Sequence, residues 1–168
     1  MAIQLPKKVT DAVGFIDGVG MAGRFGEATL PDLEFVTERA RGGGLGGGVP
    51  ISMHKIEDME MTLSSDGVTN DMTRTLGKPG TPFTLRANAT DGAANIPVEI
   101  FTRGLFTKFG MGSLGGDNAT GSPEYVSQLT YYRCVVAGEE LCEVDIEARI
   151  CRIHGEDLWA DVNANLGV

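Results

Sequence analysis

The side chains that could do chemistry are few: His54 and His154, the thiols of Cys134, Cys142 and Cys151, and carboxylate pairs at Glu57-Asp58 and Glu139-Glu140, with Glu143 and Asp145 on one strand face. General acid–base work or metal binding needs such groups to converge, a histidine beside a carboxylate or hydroxyl, or several ligands at matched spacing. The two histidines stand about a hundred residues apart, one in a strand-like stretch and one before a glycine. Neither has such company, so a surface or hydrogen-bonded role fits each better than catalysis. The carboxylate pairs read as solvated charge. Residues 66–71 lack the alternation of a calcium loop, and Asn118-Ala119-Thr120 matches a glycosylation triplet without meaning in a cytoplasmic product. No reaction type, cofactor or metal is supported.

Three cysteines are an odd set, and no Cys-x-x-Cys spacing suggests zinc or redox chemistry. Free, packed thiols are the default. If Ala137-Gly138 is a two-residue hairpin turn, Val136 faces Glu139 and Cys134 faces Leu141, so Cys134 and Cys142 project from opposite faces of the ribbon. That disfavours a bond between them. Cys142 and Cys151 become diagonal neighbours if Glu147-Ala148 is the next turn. Any disulfide among Cys134, Cys142 and Cys151 is therefore expected to link subunits.

The elements that carry these residues are mainly strands. The chain has 168 residues, enough for one domain over 1–168 with a core that needs no staples. Its 14 Lys and Arg against 23 Asp and Glu give a net charge of −9, which repels phosphate and argues against a protein that grips nucleic acid or an anionic membrane. No stretch reads as a signal peptide or as about 18 successive apolar residues, so a soluble product of the cytoplasm is expected. Turn signals recur at antiparallel-sheet spacing. Candidate strands are 13–17, 26–30, 33–39, 49–56, 60–64, 83–87, 97–108, 125–136, 140–145 and 149–153. Met59, Met61 and Leu63 alternate with Glu60, Thr62 and Ser64, one face to a core and the other to water. Ile96, Val98 and Ile100 make one apolar face, while the opposite face mixes Glu99, Phe101, Arg103 and Leu105.

Two short helices are expected. Val68, Met72 and Leu76 recur every four residues, with Gly77 and Pro79 as stop signals. Gly155-Glu156-Asp157 places acid at a second helix start, and Leu158, Val162 and Leu166 make a stripe beside Trp159 that is core or an inter-subunit contact, with core favoured. Between strands lie two glycine-rich connections, at about 41–50 and 109–123. In the first, Arg41 is followed by Gly42, Gly43, Gly44, Leu45, Gly46, Gly47 and Gly48. Such a run suits a finger whose backbone approaches another surface closely. A phosphate loop would need Gly-Lys-Ser/Thr leading into a helix, whereas Gly48 leads into the strand Val49-Pro50-Ile51. The second connection reads as another mobile projection.

In order along nearly the whole chain, Phe15-Ile16-Asp17-Gly18, Thr29-Leu30-Pro31 with Leu33, Glu38 leading to Arg41-Gly42-Gly43-Gly44, and Val49-Pro50-Ile51 are followed by Arg103-Gly104, Tyr131-Tyr132-Arg133 and Gly138-Glu139-Glu140-Leu141. Then come Glu143-Val144-Asp145, His154-Gly155 and Leu166-Gly167-Val168. This set resembles the major tail-tube proteins of contractile-tailed bacteriophages and the related R-type bacteriocin tubes. The resemblance implies an α+β, mainly antiparallel β-sandwich-like or barrel-like subunit with one or two short helices. Its strands would join those of its neighbours, in hexameric rings, into a continuous inner β-barrel. It implies a structural protein rather than an enzyme, located in the virion tail. Its partners would be further copies of itself, the tail sheath, baseplate and tail-terminator proteins, and passing DNA. The glycine finger, Arg41 to Gly48, becomes the candidate assembly contact. Alternatives are a bacteriocin or secretion-system tube of the same fold, a small β-sandwich ligand-binding module, and a hydrolase using Glu or Asp.

Overall fold

Alternating apolar and polar side chains suit a strand with one face buried, and such patterns fill most of this chain. A computed structural model describes residues 7–44, 46–67, 72–112 and 121–167. Its strands are β1 (Lys8–Ile16), β2 (Val19–Gly20), β3 (Phe25–Thr29), β4 (Phe35–Ala40), β5 (Val49–Ile56), β6 (Met59–Ser65), β7 (Thr81–Thr90), β8 (Asn95–Gly110), β9 (Glu124–Val136), β10 (Glu139–Asp145), β11 (Ile150–Ile153) and β12 (Glu156–Asp157). A single helix among the described residues, α1, spans Ala160–Leu166. All ten expected strands are present, most of them longer than expected; β2 and β12 are two-residue pairings that follow the turns Asp17-Gly18 and His154-Gly155, whose residues all have positive φ.

Ten strands form one antiparallel sheet, ordered β12-β11-β10-β9-β8-β7-β1-β2, with β6 bonded to β9 and β3 to β6. β4 and β5 stand apart as a two-stranded sheet. The larger sheet divides at Thr130. One edge of β9 follows β8 along its length; the other pairs with β6 up to Leu129 and with β10 from Tyr131 onward. Thr130 is the extra residue of a bulge, because Arg103 pairs with Tyr131 while Gly104 pairs with Leu129. Its carbonyl accepts the Ile146 amide at 2.9 Å.

An inserted residue reverses which side chains face inward. Before Thr130, β9 buries the odd positions Tyr125, Ser127 and Leu129, with Val126 covered on the other face; after it, β9 buries Tyr132. A second shift at Thr107 does the same to β8, which buries Ile100, Thr102 and Phe106 and then brings Phe109 onto Tyr125, ring centroids 5.0 Å apart. The two wings then fold over one another. The Thr102 hydroxyl of β8 donates to the Phe83 carbonyl at 3.2 Å and lies 4.0 Å from Met61 Sδ of β6. Between the wings lies a core that includes Met59, Met61, Leu63, Phe83, Phe106 and Tyr125. Leu63 is fully buried, so Leu63→Ala is expected to lower stability by about 3 kcal/mol. This reads out as a lower urea midpoint at unchanged slope; an unshifted midpoint would remove Leu63 from the core argument.

The two helix expectations need correction. Residues 68–71 of the first lie outside the described residues, and its remainder is one 3-10 turn, Thr73–Thr75, with Met72 buried but Leu76 40% exposed. At the C-terminal end, Glu156 and Asp157 pair with Ile153 and Arg152 as β12 instead of opening a helix. The Asp157 carboxylate accepts the Trp159 amide at 3.0 Å, and the helix begins only after Trp159. Gly167 closes it in the left-handed conformation, φ 72°.

Candidate assembly surface

The β4–β5 hairpin carries the glycine tip expected to make contacts. Ala40 pairs with Val49 and Glu38 with Ile51, and paired residues share a face, so Ala40, Val49 and Ile51 line one side of the ribbon together with Glu38. Val49 and Ile51 remain 49% and 48% exposed. Further down, Met53, His54 and Lys55 stand opposite Val36 alone, a bulge in which His54 has φ 52°. A two-stranded ribbon is marginal in water unless something packs on it. Here the side that carries Val49 and Ile51 is left open among the described residues.

At the tip, Arg41, Gly42, Gly43, Gly44, Gly46, Gly47 and Gly48 are all exposed, and Leu45 lies outside the described residues. Gly44 needs its freedom, with φ 88°. A Cβ at Gly43, Gly46 or Gly47 would meet nothing within 4 Å, so no close approach inside the subunit accounts for the lack of side chains there. The second glycine-rich connection is shorter than expected, because β8 runs to Gly110 and β9 starts at Glu124. Its residues 113–120 lie outside the described ones.

The base of the hairpin faces α1 across a cleft of about 540 Å³ lined by Met53, Ile56, Ile146, Trp159, Val162 and Leu166, with His54, Lys55 and Arg149 also in its wall. The helix is fixed there by a reciprocal pair: Arg149 Nε donates to Asn163 Oδ1 at 3.0 Å, and Asn163 Nδ2 donates to the Arg149 carbonyl at 2.8 Å. Leu158 and Leu166 are 40% and 60% exposed. Of the stripe favoured as core, Val162 and Leu166 are thus wall of an open cleft, Leu158 lines a neighbouring one with Phe35, and only Trp159 beside them is buried. The indole N–H of Trp159 is buried without a partner among the described residues.

The outer face of the large sheet is charge-paired. Arg86 lies 3.5 Å from Glu99, Arg103 3.1 Å from Asp145 and Arg133 2.7 Å from Glu140, while Arg152 bonds Glu143. Arg103 also lies over the Tyr131 ring and Arg133 over Phe101. The mixed face of β8 is explained by these neighbours: its arginine and glutamate each meet an opposite charge across the ladder. The hydrogen bond to Glu140 holds the Arg133 guanidinium above its ordinary pKa, while burial and the Glu143 carboxylate push the Tyr131 phenol up.

The groups singled out for chemistry do not converge. His54 sits in the hairpin bulge, and His154 lies 3.8 Å from Glu139 at an exposed turn. Among the described residues no three His, Cys, Asp or Glu are placed to hold a metal ion. The thiols, in contrast, do meet, and here the opposite-face argument fails. The Ala137-Gly138 turn forms as expected, with φ 55° and 82°. A register shift at Leu141 then sets Cys142 directly opposite Cys134. Cys142 pairs with Ile153 and Val144 with Cys151, so Cys142 and Cys151 are diagonal neighbours. All three thiols are free.

Comparison with known proteins extends the pattern. A family model described as phage tail tube protein FII matches residues 6–167. The chain is 26% identical over 172 aligned residues to the tail tube protein of Escherichia phage P2, covering 98% of this chain and 99% of that protein. It is 25% identical over 170 residues to the major tail tube protein of Serratia phage KSP20, covering 94% and 93%. Among solved structures, the fold is similar to the anti-feeding prophage tube-terminating cap, with a TM-score of 0.62 at 16% identity over 81% of this chain and 93% of that one. A PVC sheath–tube complex of an extracellular contractile injection system gives 0.61 at 13% identity over 78% and 90%. At such identities the likeness is one of fold. With a family match spanning all but the extreme ends, the chain belongs to the phage tail tube protein FII family.

Proposed function

We propose that copies of this subunit join side by side into rings, on the hexameric plan that the resemblance implies, and that the rings stack into the hollow inner tube of a contractile phage tail. The match of residues 6–167 to the tail tube family carries this reading. The fold is consistent with it physically. A sheet closed across subunits has no exposed edges to recruit stray strands, and identical head-to-tail contacts repeated along an axis generate a filament. The partners would be neighbouring copies, the sheath around the tube, and the baseplate and terminator proteins at its ends; structures of similar fold include a sheath–tube complex and a tube-terminating cap. DNA would pass through without being gripped. Phosphate binding requires cations that release counterions, whereas here the net charge is −9 and four arginines of the outer sheet face are held by carboxylates.

The test is electron microscopy of the purified protein at high concentration. Rings or tubes are expected; a persistent monomer across conditions would sink the proposal. In the same assay, shortening residues 42–48 is expected to leave the melting temperature within about 2 °C, as for a surface loop, while shortening the tubes. Tubes of unchanged length would rule out a stacking role for the glycine tip.

A further inference from the structure

We propose that Cys134 and Cys142 form a redox-closable clamp: a disulfide that a small-molecule disulfide installs across β9 and β10 within one subunit, with Cys151 excluded. Three observations carry this. The two residues are direct cross-strand partners, held in that register by the shift at Leu141. Direct partners in an antiparallel ladder have Cα atoms about 4.5–5.5 Å apart, inside the span of roughly 4.4–6.8 Å that a disulfide bridges. Their side chains share a face at the rim of the core, where both are partly exposed, while Cys151 is completely buried. Of the three pairings that three thiols allow, exposure and register together select one.

The exchange balances without a further reactant. The Cys134 thiolate attacks one sulfur of the small-molecule disulfide, breaking its S–S bond and releasing one thiolate. The Cys142 thiolate then attacks Cys134 sulfur in the mixed disulfide, forming the protein S–S bond and releasing the second thiolate. Two protein thiols are oxidised by two electrons, and their protons pass to the two small thiols released. Burial pushes the Cys142 thiol up to about 11 and raises Cys134 as well, although a hydrogen bond between Cys134 and Tyr132 works the other way. The exchange is therefore slow at neutral pH and faster as pH rises.

The experiment exposes the native full-length protein to oxidised glutathione at about pH 9, near the ordinary thiol range, then blocks remaining thiols before and after unfolding and maps the peptides by mass spectrometry. The expected product is a Cys134–Cys142 bond in a chain lighter by two hydrogens, with Cys151 alkylated only after unfolding. Closing this short loop is expected to raise the melting temperature by roughly 5–10 °C, a rise that a reducing agent reverses. Cys151→Ser is expected to leave the bond intact, and Cys142→Ser to stop at glutathione attached to Cys134. Stable glutathione adducts on the unaltered chain, bonds between chains on a non-reducing gel, or unreacted Cys134 and Cys142 would each overturn the proposal. The readout on the unaltered chain does not depend on any variant folding.

Discussion

Gly104→Ala is expected to cost the chain most of its stability. An ideal Cβ at this position would stand 2.2 Å from the Gln128 carbonyl oxygen and 2.9 Å from Leu129 Cα, both backbone atoms of the neighbouring strand. Neither can rotate away as a side chain can, so relief requires β8 and β9 to separate. They would have to separate at the worst place. Gly104 faces the bulge at Thr130, where β9 exchanges β6 for β10 as its second partner and both wings of the sheet meet. Overpacking ordinarily costs 1–3 kcal/mol, occasionally more; with rigid backbone on the receiving side, about 4 kcal/mol or more is expected. For a chain of this length that lowers the melting temperature by roughly 10 °C or more, or yields insoluble protein. Gly110→Ala is the control within the same strand, since a Cβ there meets nothing within 4 Å. It is expected to melt within about 2 °C of the unaltered chain. Equal melting of the two variants would show that the close approach at Gly104 is not what sets the fold.

Gly104 also marks the boundary of what period-two reading can recover. Alternation at Met59, Met61 and Leu63 located β6 and its buried face, and the apolar even positions of β8 located the face toward the core. The bulges at Thr107, Thr130 and Leu141 have no comparable signal, because an extra residue changes the hydrogen-bond partner without changing residue type. The parity reversal at Leu141 is the whole reason that Cys134 and Cys142 face each other instead of opposing faces. A glycine in the interior of a long strand, as Gly104 is in β8, is the available hint of close backbone approach. The C-terminal stripe misled for a different reason. A spacing of four residues suggests one helical face for Leu158, Val162 and Leu166, but Leu158 lies before the helix, and spacing does not show whether another part of the same chain covers Val162 and Leu166. In this subunit that face borders an open cleft, and the same holds for Val49 and Ile51, whose alternation fixes a side of the ribbon without identifying its cover.

The cover is where the second large effect is expected: Val49→Asp combined with Ile51→Asp should abolish rings and tubes while leaving the subunit folded. Both side chains are about half exposed on a ribbon hydrogen-bonded to no third strand among the described residues, and neither belongs to the buried core, so charging them leaves that core intact. Subunit melting is expected to stay within about 2–4 °C, near the limit of ordinary surface changes. In a tube the same surfaces would be buried against a neighbouring copy. Full burial of an exposed valine or isoleucine stabilises by about 1.5–3 kcal/mol; these two are already half buried, so losing both weakens each contact by about tenfold or more. Desolvating two carboxylates in their place adds to that loss. The carboxylates would also repel others on a neighbour whose net charge is −9. Because a symmetric ring repeats every contact, one double substitution acts at each interface at once. Sedimentation is the direct readout: a monomer peak with native circular dichroism is expected at concentrations where the unaltered chain polymerises. Tubes of normal length from the double variant would place the subunit interface elsewhere, whereas a monomer that has lost its native spectrum would mean that the ribbon face supports the fold itself.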